Sequence, residues 1–141
     1  MIREAIAADA AELAVLMTHL TGNPVAEEVM LNRLAFVESS PFDSLYVYED
    51  TGRLLGLFGF RIRENLEAVS RYGEISSIVV SPEARGQGIG RQLMDYAEQL
   101  AVQYGCIGTW LVSGFGRAEE AHKFYKQLKY EITGYRFRKL N

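Results

Sequence analysis

A short glycine-rich segment constrains this chain more than any other feature. It consists of Arg85, Gly86, Gln87, Gly88, Ile89 and Gly90. An apolar run at 75–80 before it predicts a buried strand, and apolar residues at helical spacing up to Tyr104 predict a helix after it. Glycine lets a ligand approach the backbone closely, and the first turn of a helix offers N–H groups that favour phosphate oxygens. The segment therefore predicts a turn that binds a phosphorylated ligand.

The spacing of the glycines excludes two common phosphate-binding turns. A P-loop ends in a glycine followed by Lys and then Ser or Thr, and no such pair follows Gly86 at the required distance. A dinucleotide fingerprint needs two residues between its last glycines, whereas one separates Gly88 from Gly90. Thr109 also stands near the place of the ribose-binding acidic residue. The pattern that remains is Arg-x-x-Gly-x-Gly, beginning at Arg85.

Two blocks of the sequence resemble one enzyme superfamily. The first, at 78–90, resembles the acetyl-CoA signature of the GNAT superfamily of N-acyltransferases. The second contains Ala121, Phe124 and Tyr125 and resembles the A-x-x-F/L-Y segment of that family, with Tyr130 after it. The order of predicted elements, βααβββαβαβ, resembles the family order from end to end. The chain is similar to small single-domain bacterial members.

Hydrophobic periodicity and turn residues predict ten elements. Strands are expected at 1–6, 44–49, 53–62, 72–80, 106–113 and 130–138, and helices at 9–20, 25–37, 89–104 and 117–128. Asp9 and Glu12 predict a capping box, and Gly105 predicts the end of the third helix. The resemblance implies one α/β domain over 1–141 with the GNAT fold, in which about four helices flank a mixed sheet of six or seven strands.

The resemblance also implies where the cofactor acetyl-CoA binds. The backbone of Ile78, Val79 and Val80 would pair with the pantetheine arm. The pyrophosphate would lie on N–H groups of the glycine-rich segment, together with Arg91. The Arg85 side chain would add a charge-assisted contact, although a solvated surface arginine is the alternative. Many members carry an Asn where Ala118 stands, so Ser113 or Arg117 is expected to replace that contact.

Two residues are expected to carry the chemistry. A lysine-like amine with a pKa of about 10.4 is almost entirely protonated at neutral pH, so a base must accept its proton. Glu74 opens the fourth strand, as the base does in similar histone-type enzymes; a solvent-facing carboxylate is the alternative. Tyr125 would donate a hydrogen bond to the departing thiolate, and a packed aromatic is its alternative. A backbone N–H near Val80 would stabilise the oxyanion during direct attack by the amine.

The composition indicates whether nucleic acid, a membrane or a metal ion is an expected partner. A net charge of −3 and a pI near 5.4 give no overall electrostatic reason to bind nucleic acid or an anionic membrane. The single cysteine, Cys106, is expected to be a buried structural thiol, and His19 and His122 lack partners at metal-binding spacing. No metal is expected. A cytoplasmic location is expected because the sequence shows neither a long apolar run nor a signal-peptide region.

The acceptor is expected to be a small-molecule primary amine. It should lie between 21–28 and the loop 63–71, with Tyr46, Tyr48, Arg61 and Arg63 as candidate contacts. The stretch 121–139 is similar to small bacterial acetyltransferases that include one acting on aminoalkylphosphonates, which favours a small anionic amine. A protein N-acetyltransferase and a noncatalytic acyl-CoA-binding module remain the alternatives. The last strand is expected to support a homodimer.

Overall fold

The computed structural model describes residues 1–114 and 118–141, which form two compact units, Met1–Trp110 and Leu111–Asn141. The first unit contains β1 (Ile2–Glu4), α1 (Ala10–Thr21), α2 (Glu27–Ser39), β2 (Asp43–Asp50), β3 (Arg53–Glu64), β4 (Arg71–Val80) and α3 (Ile89–Gln103). Then follow β5 (Thr109–Leu111) and, in the second unit, α4 (Ala118–Gln127). The expectation of a single domain over 1–141 stays a prediction. The predicted start of the last helix at Arg117 lies outside the described residues.

The strands form one sheet in the order β1-β2-β3-β4-β5, with antiparallel pairing from β1 through β4. The predicted mixed α/β fold is confirmed. The expected count of six or seven strands is wrong, because the described residues contain five. No strand is present at 131–141, where Ile132, Tyr135 and Phe137 are 65%, 87% and 93% exposed. Aromatic and β-branched residues favour strands, but a strand also needs a neighbouring backbone to bond with.

A tight hairpin joins β2 to β3, as the sequence predicts. Asp50 pairs with Arg53, and the two residues between them, Thr51 and Gly52, have φ of 48° and 78°. Two successive residues with positive φ match the right-handed twist of the flanking strands, and glycine adopts that conformation without a steric penalty.

Apolar residues cover both faces of the sheet. On one face, Leu13 and Leu16 of α1 belong to a buried cluster with Leu45, Leu57 and Val79 of the strands. On the other face, α3 packs closely because small residues of the sheet face it. A Cβ on Gly56 would lie 3.1 Å from Leu93 of α3. The sheet is therefore held between α1 and α2 on one side and α3 on the other.

The predicted third helix is confirmed, with one correction to its buried face. Its predicted core residues are buried: Ile89, Leu93, Ala97 and Leu100. Tyr104 is 47% exposed instead, with its ring 6.2 Å from that of Phe60. The helix ends at Gly105 as predicted, because its φ of 72° suits glycine.

The capping box predicted for α1 is wrong. The carboxylate of Asp9 accepts hydrogen bonds from the Ile6 N–H at 2.8 Å and from the guanidinium of Arg3 at 2.8 and 3.0 Å. Glu12 instead accepts the N–H of Leu54 at 2.9 Å, which ties α1 to the start of β3. The two acidic side chains therefore bond to residues other than each other's backbone N–H groups, which the predicted capping box requires.

Candidate active site

Two glycines give the segment before α3 its shape. Gly86 and Gly88 have φ of 78° and 80°, a region that side chains with a Cβ rarely adopt. A Cβ built on either one meets nothing within 4 Å, so the space beside the backbone is open. The backbone conformation favours glycine at both positions, and the exposed turn leaves room for a ligand.

The N-terminus of α3 has free hydrogen-bond donors. Within residues 1–114 and 118–141, the N–H groups of Ile89, Gly90 and Arg91 have no acceptor, and no side chain caps Gly88. The first bond of the helix runs from the N–H of Gln92 to the carbonyl of Gly88, at 3.1 Å. The first turn also lacks acidic residues. Free donors at the positive end of a helix dipole favour an anion.

Two arginines lie beside these donors. Arg85 and Arg91 flank the glycines and are exposed. A guanidinium bonds phosphate oxygens with two parallel N–H groups and always carries its charge. The predicted cofactor residues from Arg85 to Arg91 are thus brought together at one exposed site.

The end of β4 borders this turn. Ile78, Val79 and Val80 pair on one side with β3. On the other side, β5 has only three residues against ten in β4. The segment leading into β5 bonds with Arg71 and Gly73 at the start of β4, through the N–H of 107 at 2.8 Å and the carbonyl of 108 at 3.0 Å. Within the unit Met1–Trp110, the end of β4 therefore has no strand along that edge.

A β-bulge in β4 is a feature that the sequence analysis missed. Gly59 pairs with Ser77 and Phe60 with Ile75, which leaves Ser76 as the extra residue. A Cβ on Gly59 would lie 2.5 Å from the Ser76 hydroxyl oxygen, so any larger residue at 59 would force that hydroxyl to move. An isolated glycine inside a strand was the available signal, since it often marks a bulge or a close approach.

Glu74 is held in an ion pair. Its carboxylate accepts a hydrogen bond from the Nε of Arg63 at 2.7 Å, and its side chain is only 15% exposed. The guanidinium of Arg63 in turn lies 5.9 Å from the centre of the Trp110 ring. The side chain is thus fixed at one position on β4 with one oxygen not bonded to Arg63. Its role as the base stays a prediction.

Ser113 and Tyr125 belong to the second unit. Ser113 is half-buried and lies outside regular structure, whereas Tyr125 lies in α4. The Tyr125 ring meets Phe124 edge-on at 5.2 Å and Tyr130 at 6.2 Å. Burial raises the pKa of the Tyr125 hydroxyl, so it keeps its proton and remains a hydrogen-bond donor. The predicted acid role of Tyr125 and the cofactor contact of Ser113 stay predictions.

A cavity of about 330 Å³ lies between α1, α2 and strands β2 to β4. Thr21 and Val25 line it, as expected for the acceptor side. Three of the other expected contacts are engaged elsewhere. Tyr46 is 5% exposed and stacks on Phe58 at 5.1 Å, and burial raises its pKa to about 12. Arg61 pairs with Asp43, and Arg63 with Glu74.

Cys106 is half-buried rather than fully buried, and burial raises the pKa of its thiol. In residues 1–114 and 118–141, no group of three or more His, Cys, Asp and Glu residues is arranged to hold a metal ion. None of the helices in this part of the chain combines the length and apolar character needed to cross a membrane.

Comparisons with known proteins agree with this geometry. The chain is 36% identical over 88 residues to the aminoalkylphosphonate N-acetyltransferase of Salmonella typhimurium, covering 62% of this chain and 56% of that enzyme. It is 28% identical over 116 residues to the glucosamine 6-phosphate N-acetyltransferase of Trypanosoma brucei brucei, covering 80% of this chain and 76% of that enzyme.

A solved structure and a family model extend the likeness to nearly the whole chain. The structure of a transcriptional regulator from Bacillus halodurans C-125 superposes with a TM-score of 0.91 at 21% identity, covering 100% of this chain and 99% of that one. The family model of the GNAT acetyltransferases matches residues 12–130. The chain belongs to the acetyltransferase (GNAT) family.

Proposed function

We propose that this protein is an N-acetyltransferase that moves an acetyl group from acetyl-CoA directly to the primary amine of a small molecule. One observation carries the proposal: the uncapped N-terminus of α3, opened by Gly86 and Gly88, lies next to the end of β4, which has no strand along one edge within the unit Met1–Trp110. Membership in the GNAT family supports the same activity.

The residues present suit each part of acetyl-CoA. The N–H groups of Ile89, Gly90 and Arg91 would hold the pyrophosphate, with Arg85 adding charge. Hydrogen bonds to charged groups each contribute about 1.5–3 kcal/mol, so this turn supplies enough interaction to bind a pyrophosphate. The edge of β4 at 78–80 would pair with the amides of the pantetheine arm in the way that a further strand would.

The chain's own groups then serve the transfer. The bound thioester supplies an activated acetyl carbonyl. Glu74 would accept the proton of the attacking amine, directly or through water. Ion pairing with Arg63 fixes the position of its carboxylate on β4. A backbone N–H near Val80 would stabilise the charge on the carbonyl oxygen. Tyr125 would donate a hydrogen bond to the departing thiolate, as the family resemblance of its block implies.

Two observations support a small-molecule acceptor over a protein. The cavity of about 330 Å³ falls within the usual range for small-ligand pockets. The two enzyme relatives above are named for small amines, one a phosphonate and one a sugar phosphate. Because the substrates named for both relatives are amines with an anionic group, we propose an acceptor of the same kind for this chain.

A homodimer is part of the proposal. Tyr135 and Phe137 are 87% and 93% exposed in the C-terminal segment, and large exposed apolar side chains favour association. Light scattering coupled to a sizing column tests this directly. A mass near 32 kDa supports the dimer, since the chain has a mass of 15.9 kDa, and a monomer at micromolar concentration contradicts it.

The activity is tested by thiol release from acetyl-CoA against a panel of aminoalkylphosphonates, amino sugar phosphates, polyamines and peptides. Thiol release with a small amine, together with its acetylated product by mass spectrometry, supports the proposal. Acetylation confined to peptides would favour the protein acetyltransferase. Tight acetyl-CoA binding without thiol release on any amine would favour the noncatalytic module.

A further inference from the structure

The cavity on the α1 and α2 face of the sheet shares strand β4 with the proposed thioester site. Ser76 and Ser77 of β4 and Gly59 of β3 form its floor. The same strand continues directly into 78–80, where the pantetheine arm would lie. Because a strand advances about 3.3 Å per residue, Ser76 lies roughly 7–13 Å along β4 from the backbone at 78–80.

The walls of the cavity are largely apolar. Met17 of α1 and Val25, Val29 and Phe36 in and near α2 line it, with Leu45 of β2 opposite. Val29 and Phe36 are 49% and 43% exposed, so part of this apolar surface is open to solvent. A compact aliphatic chain would cover that surface, because burying apolar area is favourable.

Among the described residues that line the cavity, one cation, Arg33, has no carboxylate partner. Asp43 lines it but is already paired with Arg61 and accepts a hydrogen bond from the Ser40 hydroxyl at 2.8 Å. Arg33 donates to the Asn32 side-chain oxygen at 2.6 and 3.0 Å and lies 4.9 Å from the centre of the Phe36 ring. No carboxylate of the described residues pairs with Arg33. Its remaining N–H donors can bind an oxyanion.

The bulge places a hydroxyl on the cavity floor. Ser76 is exposed and its side chain lies across Gly59, where a Cβ would come within 2.5 Å of the hydroxyl oxygen. A serine hydroxyl accepts hydrogen bonds as readily as it donates them. It therefore provides an acceptor for an amine N–H on β4, the strand that leads on to 78–80.

We propose that Arg33 and Ser76 select the acceptor: Arg33 binds a terminal phosphonate, phosphate or carboxylate, the apolar walls hold a short aliphatic linker, and Ser76 positions the amine. This inference rests on the proposed function and assigns its substrate class to named residues. It identifies the acceptor as a short ω-amino compound with an anionic end.

The test compares matched acceptors. Thiol release is measured with 3-aminopropylphosphonate, 4-aminobutanoate and uncharged butylamine, for the wild type, Arg33→Gln and the control Arg138→Gln, a change in the exposed C-terminal segment. Loss of a charge-assisted hydrogen bond predicts a decrease in kcat/KM of about 10- to 100-fold with the two anions for Arg33→Gln. Butylamine should be unaffected, and Arg138→Gln should match the wild type throughout.

A second pair of variants tests the cavity itself. Val29→Trp fills the cavity from a partly exposed position, and Val15→Trp makes the same change on α1, where the side chain is 59% exposed. Val29→Trp should raise KM for the amine at least 10-fold with unchanged acetyl-CoA affinity by calorimetry. Ser76→Ala should lower kcat/KM with every amine about equally, by roughly 5- to 10-fold.

The possible results distinguish failure of the acceptor-selection proposal from failure of the proposed acetyltransferase activity. If the wild type acetylates amines but Arg33→Gln keeps the same preference for anions, or Val29→Trp behaves like Val15→Trp, the inference is wrong and the acetyltransferase stands. If acetyl-CoA does not bind to the wild type, both are overturned.

Discussion

The Nε of Arg63 lies 2.7 Å from a carboxylate oxygen of Glu74, in a cross-strand pair between β3 and β4. This contact fixes the candidate base on β4, across from β3. Its second carboxylate oxygen is not bonded to Arg63. Glu74 is thus placed by its ion pair, and its role can be tested separately from folding.

Replacing Glu74 by Gln should slow the reaction without weakening acetyl-CoA binding. Loss of a general base lowers kcat by about 10²- to 10⁴-fold. The matched control is Glu64→Gln, which also removes a carboxylate paired with an arginine, Arg71, at the end of β3. Steady-state kinetics and calorimetry measure the two quantities. Equal kcat values for the two variants would remove Glu74 from the mechanism.

Tyr125→Phe should lower kcat by about 100-fold, because the proposed mechanism uses its hydroxyl as the hydrogen-bond donor to the departing thiolate. The ring packing against Phe124 and Tyr130 is kept by phenylalanine, so thermal stability should change little. Tyr135→Phe removes the same hydroxyl from a side chain that is 87% exposed and serves as the control. An unchanged kcat in Tyr125→Phe would identify this tyrosine as a packing residue.

The loss of activity at alkaline pH that follows ionisation of Tyr125 should begin at an unusually high pH. Burial raises the pKa of its hydroxyl above the ordinary value of 10.0. Since the protonated phenol is the donor, activity is retained below the raised pKa and falls as pH rises through it. The measurement is kcat against pH up to the limit of stability, in the wild type and Tyr125→Phe. If kcat falls below pH 10 in the wild type and this fall is absent from Tyr125→Phe, the pKa of Tyr125 is not raised and the prediction is wrong.

Asp9 should make stability depend on acidity. Hydrogen bonds from Arg3 lower the pKa of the Asp9 carboxyl below 3.8, with a further contribution from the N–H of Ile6. A depressed folded-state pKa contributes stability above the unfolded value, and this stability is lost as pH falls through the folded value. Asp9→Asn should lower the free energy of unfolding by about 1–3 kcal/mol at pH 7.

The measurement for Asp9 is urea unfolding at pH 7 and near pH 3, compared with Asp50→Asn at the exposed end of β2. The difference between Asp9→Asn and the wild type should shrink at the lower pH. A difference that is the same at both values would show that the ionised carboxylate does not stabilise the fold.

Local sequence signals predicted much of this fold. The strand, glycine turn and helix around 75–104 depend on periodicity and on residues adjacent in the chain, and so does the hairpin at Thr51 and Gly52. The family and the mixed α/β architecture followed from the same motifs. These features are determined within a few residues of one another, so a single sequence is enough to predict them.

The features that the sequence did not predict depend on pairing across the sheet. The bulge at Ser76, the ion pair of Glu74 and the link from Glu12 to β3 all require the register between strands or the packing of a helix. Strand propensity at 130–138 likewise predicted a strand, and the described residues have none there. Propensity alone does not provide a neighbouring strand to pair with. The cavity beside Arg33 depends on how α2 packs against the sheet, which no local pattern in the sequence indicates.

Acetyl-CoA binding tests the central claim, that the turn before α3 holds the cofactor. Calorimetry is performed on the wild type, Gly88→Trp and Gly52→Trp; the last two replace glycines with φ of 80° and 78° in open space. Both substitutions carry the same backbone penalty, so stability cancels from the comparison. We expect the wild type and Gly52→Trp to bind acetyl-CoA alike and Gly88→Trp to lose at least 100-fold in affinity. Equal binding by all three proteins, or none by the wild type, would contradict the account.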